Sequence, residues 1–468
     1  MAAQAQVDVG GMLRPQGRLD LSTALQPYRD TLGERAAAHL LRRAGFGGTP
    51  EEIRRYAVMR AGDAVAALLA VPRATSVGPP PEADTDGPLG KREARDAVLA
   101  LQLWWLNRML ASPAPLQEKM TLFFHGHFTS RATPRFPRIT YNQNALFRRN
   151  ATGNLRELTR AVSTDAAMLI YLDGANNVAS HPNENYAREL MELFTLGVDN
   201  YSEQDVRESA RAWTGWRVAR KTGAVHFDPR LHDGGRKLFL GHSGYFDGND
   251  IVDIIFDQPQ CARFFATSLL NWLLYNDPEP ELVDAVAGEI RRHNYELTPV
   301  LRLLLCANVF YSPRSYRALV KSPIEFVIGT YKALGLTKID EPAVVALQQM
   351  GQRLFYPPSV AGWPGGQNWL TSGTMIARQN FLTRLLGSQT LAASSWLRTV
   401  PIASKGAAQT LAQQILQRDV APASLLELEG YLAGSGSAAL ASLSAENYEQ
   451  RVSGAVYLAM ATPAYQLN

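Results

Sequence analysis

The chain has 468 residues, 46% of them hydrophobic, and a formal net charge of +4. That length can bury a large core, and the near balance of charge argues against a dedicated nucleic-acid binder, which carries a strong basic excess. Two cysteines, Cys261 and Cys306, make neither a disulfide framework nor a zinc ribbon, and no apolar run reaches the roughly 20 residues a membrane helix needs.

Residues 1–33 read as an extension of weak pattern. The opening Met1-Ala2-Ala3-Gln4-Ala5-Gln6 lacks a charged region followed by an apolar core, so no signal peptide is expected. A cytoplasmic protein and a mature exported form both fit that. Helical periodicity starts at Glu34 and stops at Gly45-Phe46-Gly47-Gly48. Thr49-Pro50-Glu51-Glu52 is a helix start: a threonine cap, a proline in the first turn, then acids at the positive end of the dipole. Residues 74–90, rich in Pro, Gly and Asp, read as a flexible surface loop.

Lys91 to Ala111 carries an apolar stripe of Val98, Leu101, Trp105 and Leu106 and predicts a long helix, ended by Pro113 and Pro115. A second helix from Leu116 leads to His125. Residues 130–140 read as a basic loop. Helices follow at about 141–150, 154–163 and 165–172, and Ser202 with Asp205 caps another that runs to Trp213. Residues 216–241 change character: two short extended runs flank Lys221-Thr222-Gly223 and predict a β-hairpin. Helices resume near 250–256, 259–275, 279–293, 298–307, 322–335 and 341–353. A Pro/Gly/Trp loop spans 355–370, and the C-terminal hundred residues are helical with a soft patch at 434–442. The expected fold is all-α: one large multi-helix domain over residues 34–468 with a small β-hairpin insertion at about 216–241.

Polar residues cluster in three places. From Pro182, a helix at about 100° per residue places Asn185, Glu189 and Glu192 on one stripe beside an apolar one of Tyr186, Leu190 and Leu193. Arg188 stands four residues from Glu184 and from Glu192 and can pair with either. Between Glu118 and Glu157 there is no acid, while Lys119, Arg131, Arg135, Arg138, Arg148, Arg149 and Arg156 all fall there. Such a stretch either focuses field on an anionic ligand or pairs with the acidic helix. His125 and His127 sit among Phe123, Phe124 and Phe128. On a helix they diverge by about 200°; on extended chain, which Gly126 favours, they point together and would share a divalent metal, a third ligand being unassigned. Trp363 and Trp369 hang on the 355–370 loop, and Trp213 and Trp216 flank Thr214-Gly215. These rings either stack on a sugar or plug the core. His232-Asp233 lies in a loop after the hairpin and either lines the same cleft or shapes a turn.

Several segments together resemble the bacterial family called domain of unknown function 1800: Asn183 through Gly197, His125-Gly126-His127-Phe128, Ala210 through Trp216, Pro357 through Pro364, Leu40 through Gly47, and Ala461 through Gln466. The resemblance covers nearly the whole chain from about residue 34. It implies no established activity and no catalytic residues. It does imply frequent export and a sulfatase-like protein as a common neighbour.

Three functions are weighed on these residues. The first is a hydrolase with a histidine–carboxylate, metal-assisted site acting on an anionic or sugar-containing substrate. His125 and His127 would hold a divalent metal. Glu189, Glu192, Arg188 and Asn185 would be catalytic, while Arg131, Arg138, Trp213, Trp363, Trp369 and His232 would bind substrate. The second is a metal-free glycan-active enzyme using Glu189 and Glu192, or one of them with Asp173 or Asp233, as acid and base. The third is a non-catalytic helical binding or assembly module.

Overall fold

Caps and prolines decide where the helices begin. The computed structural model describes residues 19–70, 88–219, 222–387, 400–401, 404–417, 422–433 and 445–468. The expectations for most of residues 1–33, for the 74–90 loop and for the 434–442 patch fall largely outside these. Thr49 and Ser202 close full capping boxes with Glu52 and Asp205, and Asp247 does the same with Asp250. Lys91–Ala111 is a continuous helix as predicted. The helix expected from 141 starts earlier, at Pro137–Arg149, because Pro137 takes the first helical position, where its missing N–H costs nothing. Residues 19–32 are not loose: Tyr28 N–H donates to the Cys306 carbonyl and Asn308 N–H to the Gln26 carbonyl, which ties them to the body.

The molecule is mostly helical, with two small antiparallel sheets. Strands β1 (Trp216–Val218) and β2 (Val225–Phe227) form the predicted hairpin, with Arg217 opposite His226. A second hairpin follows, unforeseen from sequence: β3 (Lys237–Phe239) and β4 (His242–Gly244). Its two-residue turn, Leu240-Gly241, has positive φ at both positions, the geometry that matches strand twist, but it lacks the usual Asn-Gly signal.

Among the described residues the core falls into two large buried clusters and a small third one of Val320, Trp369 and Leu467. The first is built mainly from residues 24–68 and 147–318, the second from residues 101–110, 324–355 and 377–465. Helix Pro115–His127 runs between them: Met120, Phe123 and Phe124 belong to the first, Leu122 to the second, and Trp272 packs against both. Buried charges on that helix are paired. Glu118 accepts from Arg108 (2.6 Å), from Arg148 (2.7 and 3.0 Å) and from the Trp105 indole (3.0 Å), and Lys119 pairs with Glu325. Among the described residues, no helix is long and apolar enough to cross a membrane.

Candidate functional site

His125 and His127 lie on the last turn of helix Pro115–His127, not on extended chain. The helix continues through Gly126, so the two rings diverge. His125 is 3% exposed, packed among Trp105, Phe355 and Trp363. Its Nε2 accepts the Phe355 N–H at 3.1 Å. His127 donates from Nε2 to the Phe194 carbonyl at 2.9 Å. Burial pushes His125 down to about 3; it pushes His127 down to about 4, against the opposing pull of the Phe194 carbonyl. Both are neutral imidazoles, each with one nitrogen committed to a different stretch of backbone. Among the described residues, no three His, Cys, Asp or Glu side chains gather as a metal would need.

The acidic segment is not one regular helix. Asn185–Glu189 is α-helical, and Leu190–Thr195 continues as a π-helix. The widened turn is closed by Leu196 N–H donating to the Met191 carbonyl (2.8 Å) and by the Thr195 hydroxyl donating to the Leu190 carbonyl. This bulge, of a kind common at functional sites, puts Glu192 on the π-helical part while Asn185 and Glu189 stay on the α-helical one. Arg188 forks onto Glu203 (2.7 and 2.8 Å) and reaches Glu184 (3.3 Å). Its partner across the turn is therefore Glu203, not Glu192. Glu192 instead accepts from the Tyr201 hydroxyl at 2.7 Å. Asn185 is exposed, its backbone N–H held by Asn183 Oδ1. Glu189 is half-buried and makes no hydrogen bond or ion pair among the described residues. Burial first and then Glu192 raise its carboxyl above the ordinary range, with Arg188 opposing. Tyr171 is raised by burial first, with Arg131 lowering it and Glu189 raising it.

The basic stretch does not pair with this segment among the described ion pairs. Arg148 goes to Glu118, and Arg156 goes to Asp253 and Asp257. Arg131 lies 5.5 Å over the Tyr356 ring, and Arg138 is on the exposed face of its helix. The tryptophans are mostly internal. Trp213 is 5% exposed and edge-on to Tyr186, and Trp369 is 9% exposed against Val320 and Leu467. Trp363 is half-buried on His125. His232 turns its Nδ1 to Thr214, and Asp233 is held by a two-toothed contact from Arg211 (2.7 and 3.2 Å).

Two of the family-like segments, Asn183 through Gly197 and Ala210 through Trp216, are joined through Asn177. Asn177, almost fully buried, donates its amide to the Ala210 carbonyl (2.8 Å) and accepts the Asn183 N–H (2.9 Å). Its own carbonyl takes the Gly215 N–H (3.1 Å). Gly215 has φ +97°, and a Cβ there would meet Phe227 at 2.9 Å, so only glycine lets β1 leave this knot at the right angle. Arg217 then donates to the Ala175 carbonyl, and Gly223 at the hairpin turn sits against Ile139. The result is a cleft of about 820 Å³ between the β1–β2 hairpin and helices Pro137–Arg149 and Ala166–Tyr171. Its apolar lining includes Ile139, Leu169 and Ile170, and its polar groups include Arg135, Arg217 and His226. Asp173 also lines it, but its oxygens hold the amides of Asn176 and Asn183. Apart from Asp173, weighed as an alternative acid, the residues expected to form a site do not line this cleft. Its only sequence signals were Arg135 within the acid-free stretch, Asp173 as an alternative acid, and the hairpin itself.

No curated protein and no solved structure matches this chain. Residues 39–467 match the model of the family described as protein of unknown function (DUF1800), nearly the whole sequence, and the chain belongs to that family.

Proposed function

We propose that the protein is a binding module whose ligand seat is the cleft beneath the β1–β2 hairpin. The observation that carries this reading is the cleft's make-up. Its size falls in the range of small-molecule and peptide-anchor sites, and its lining combines apolar Ile139, Leu169 and Ile170 with the basic Arg135, Arg217 and His226. That combination suits a ligand with an apolar body and a carboxylate, phosphate or sulfate head. The ligand is either a free small molecule or a segment of a partner protein; the sulfatase-like neighbour expected of the family is the partner to try first, in an exported setting. The test uses anilinonaphthalene sulfonate, an anionic aromatic probe. Saturable fluorescence is expected, weakened in Arg217→Ala and Arg135→Ala. Probe binding indifferent to both substitutions overturns the reading.

A second reading rests on Glu189. A half-buried carboxyl without a hydrogen-bond partner, raised by burial and by Glu192, has the make-up of a general acid for a hydrolase acting on an anionic or sugar-containing substrate. Glu192, held by Tyr201, would be the second carboxylate of a metal-free pair. If the site is metal-assisted instead, chelation abolishes turnover. Hydrolysis of chromogenic phosphate, sulfate or glycoside esters that is lost in Glu189→Gln favours this reading. Equal rates in both proteins dispose of it.

A further inference from the structure

A second hollow lies on the seam between the two large cores. It has a volume of about 460 Å³ and shares no lining residue with the cleft under β1–β2. Leu41 and Tyr56 reach it from the first core, on helices Gly33–Arg43 and Pro50–Ala57. Leu110 reaches it from the second core at the end of helix Lys91–Ala111, and Leu336 does so just after helix Pro323–Ala333. A space of this size, at the junction of two packed units, is a common setting for a small-molecule site.

The charged lining is small and unequal: Lys332, Arg55 and Glu52, two cations to one carboxylate. Lys332 stands on the last turn of helix Pro323–Ala333, its side chain 7% exposed. Its ammonium has one acceptor among the described residues, Glu52 Oε2, at a long 3.4 Å. That same oxygen takes the Thr49 N–H at 2.8 Å to close the capping box. Glu52 is thus committed to its own helix first and to Lys332 second. An ammonium carries three N–H donors, so a desolvated cation borders the hollow with most of its donors unused. Arg55 stands on the exposed side, its guanidinium 5.0 Å from the centre of the Tyr56 ring. It makes no ion pair among the described residues.

A buried ammonium with so little counter-charge is stabilised by an anion brought to it, because charge-assisted hydrogen bonds strengthen where water is excluded. Glu52 sets the limit on that anion. One carboxylate against two cations leaves a single positive charge to neutralise. That suits a monoanion and disfavours a phosphate ester, which carries more than one charge at neutral pH. Leu41, Leu110 and Leu336 call for a hydrocarbon body behind the charged head.

We propose that this hollow binds a small apolar monocarboxylic acid, its carboxylate on the Lys332 ammonium, with Arg55 at the exposed side and its body against Leu41, Leu110 and Leu336. Such a ligand touches both cores at once, so binding it stabilises the seam between them.

The probe is fluorophenylacetate, followed by fluorine NMR with the full chain. Saturable binding of one probe per chain is expected, together with a thermal midpoint that rises with probe concentration. Fluorophenylacetamide, which lacks the charge, should not bind at the same concentration. Lys332→Met should weaken the carboxylate by roughly tenfold or more, because a charged partner is lost from a desolvated place. Should that variant fail to fold, Ala111→Trp decides: Ala111 is an exposed lining residue, and an indole there fills the hollow and should abolish binding. No saturable binding at millimolar probe overturns the proposal. So does equal affinity for the amide, or an affinity unchanged in folded Lys332→Met or Ala111→Trp. Arg217→Ala, in the cleft, should leave the probe's affinity intact; loss there would move the probe to the cleft and overturn this assignment without touching the cleft reading.

Discussion

At the scale of single residues, the histidines carry the clearest consequence. His39, His125 and His127 are all pushed down by burial, His39 with added pressure from Arg43 and Arg42. Each must stay neutral in the folded chain, while the unfolded chain takes up a proton near the ordinary value of 6.5. Between that value and about 4, the unfolded state binds more protons, so stability falls as pH falls through this window. Asp165, raised to about 6 by burial, runs the other way between 6 and its ordinary 3.8. The histidine contribution is therefore best read as a difference. Urea midpoints at pH 7 and pH 5 should separate less in His125→Leu than in the native chain, and an unchanged separation would show that the ring does not titrate on unfolding. The residue types near the site were legible in the sequence, and so was the choice that the 125–127 spacing posed. Which way it resolved was not legible, because one more turn of helix through Gly126 decides where the second ring points, and the packing of Phe355 and Phe194 decides what each ring bonds.

At the scale of elements, local signals set most boundaries and failed where two elements negotiate. The Thr49 and Ser202 capping boxes were readable as four-residue patterns because the chemistry is local. The π-helix at Leu190–Thr195 was not, since its extra residue is accommodated by bonds to the Leu190 and Met191 carbonyls that no periodicity announces. Close contact between Trp213 and Gly248 is another such negotiation. The helix Gly248–Asp257 begins on a glycine whose Cβ, if present, would lie 2.3 Å from the Trp213 ring. Gly248→Ala should therefore destabilise the fold by about 1–3 kcal/mol through overpacking, measured by denaturant unfolding. A neutral result would mean that Trp213 has room to retreat and is less fixed than its burial implies.

At the scale of the whole molecule, two cores share one helix, and a buried ion pair crosses between them. Lys119 belongs to helix Pro115–His127 and Glu325 to helix Pro323–Ala333. Lys119→Met should cost about 3–5 kcal/mol, because it strands Glu325 in a desolvated place. The neighbouring Lys321 and Arg378 soften that cost, so a loss below that range would show Glu325 re-pairing with them. Urea unfolding followed by tryptophan fluorescence reads it. The sequence by itself determined the helical class, the hairpin, most helix limits and family membership, because these depend on composition, caps and motifs that act over a few residues. Only the tertiary structure decided that His125 and His127 bond different stretches of backbone and that Arg188 forks onto Glu203. It alone assembled the cleft under β1–β2, and it set Arg43 on the Ser315 carbonyl and Arg378 on Gln466. The physical reason is that burial and charge pairing depend on which distant segments share a desolvated volume, and spacing along a chain carries no record of that.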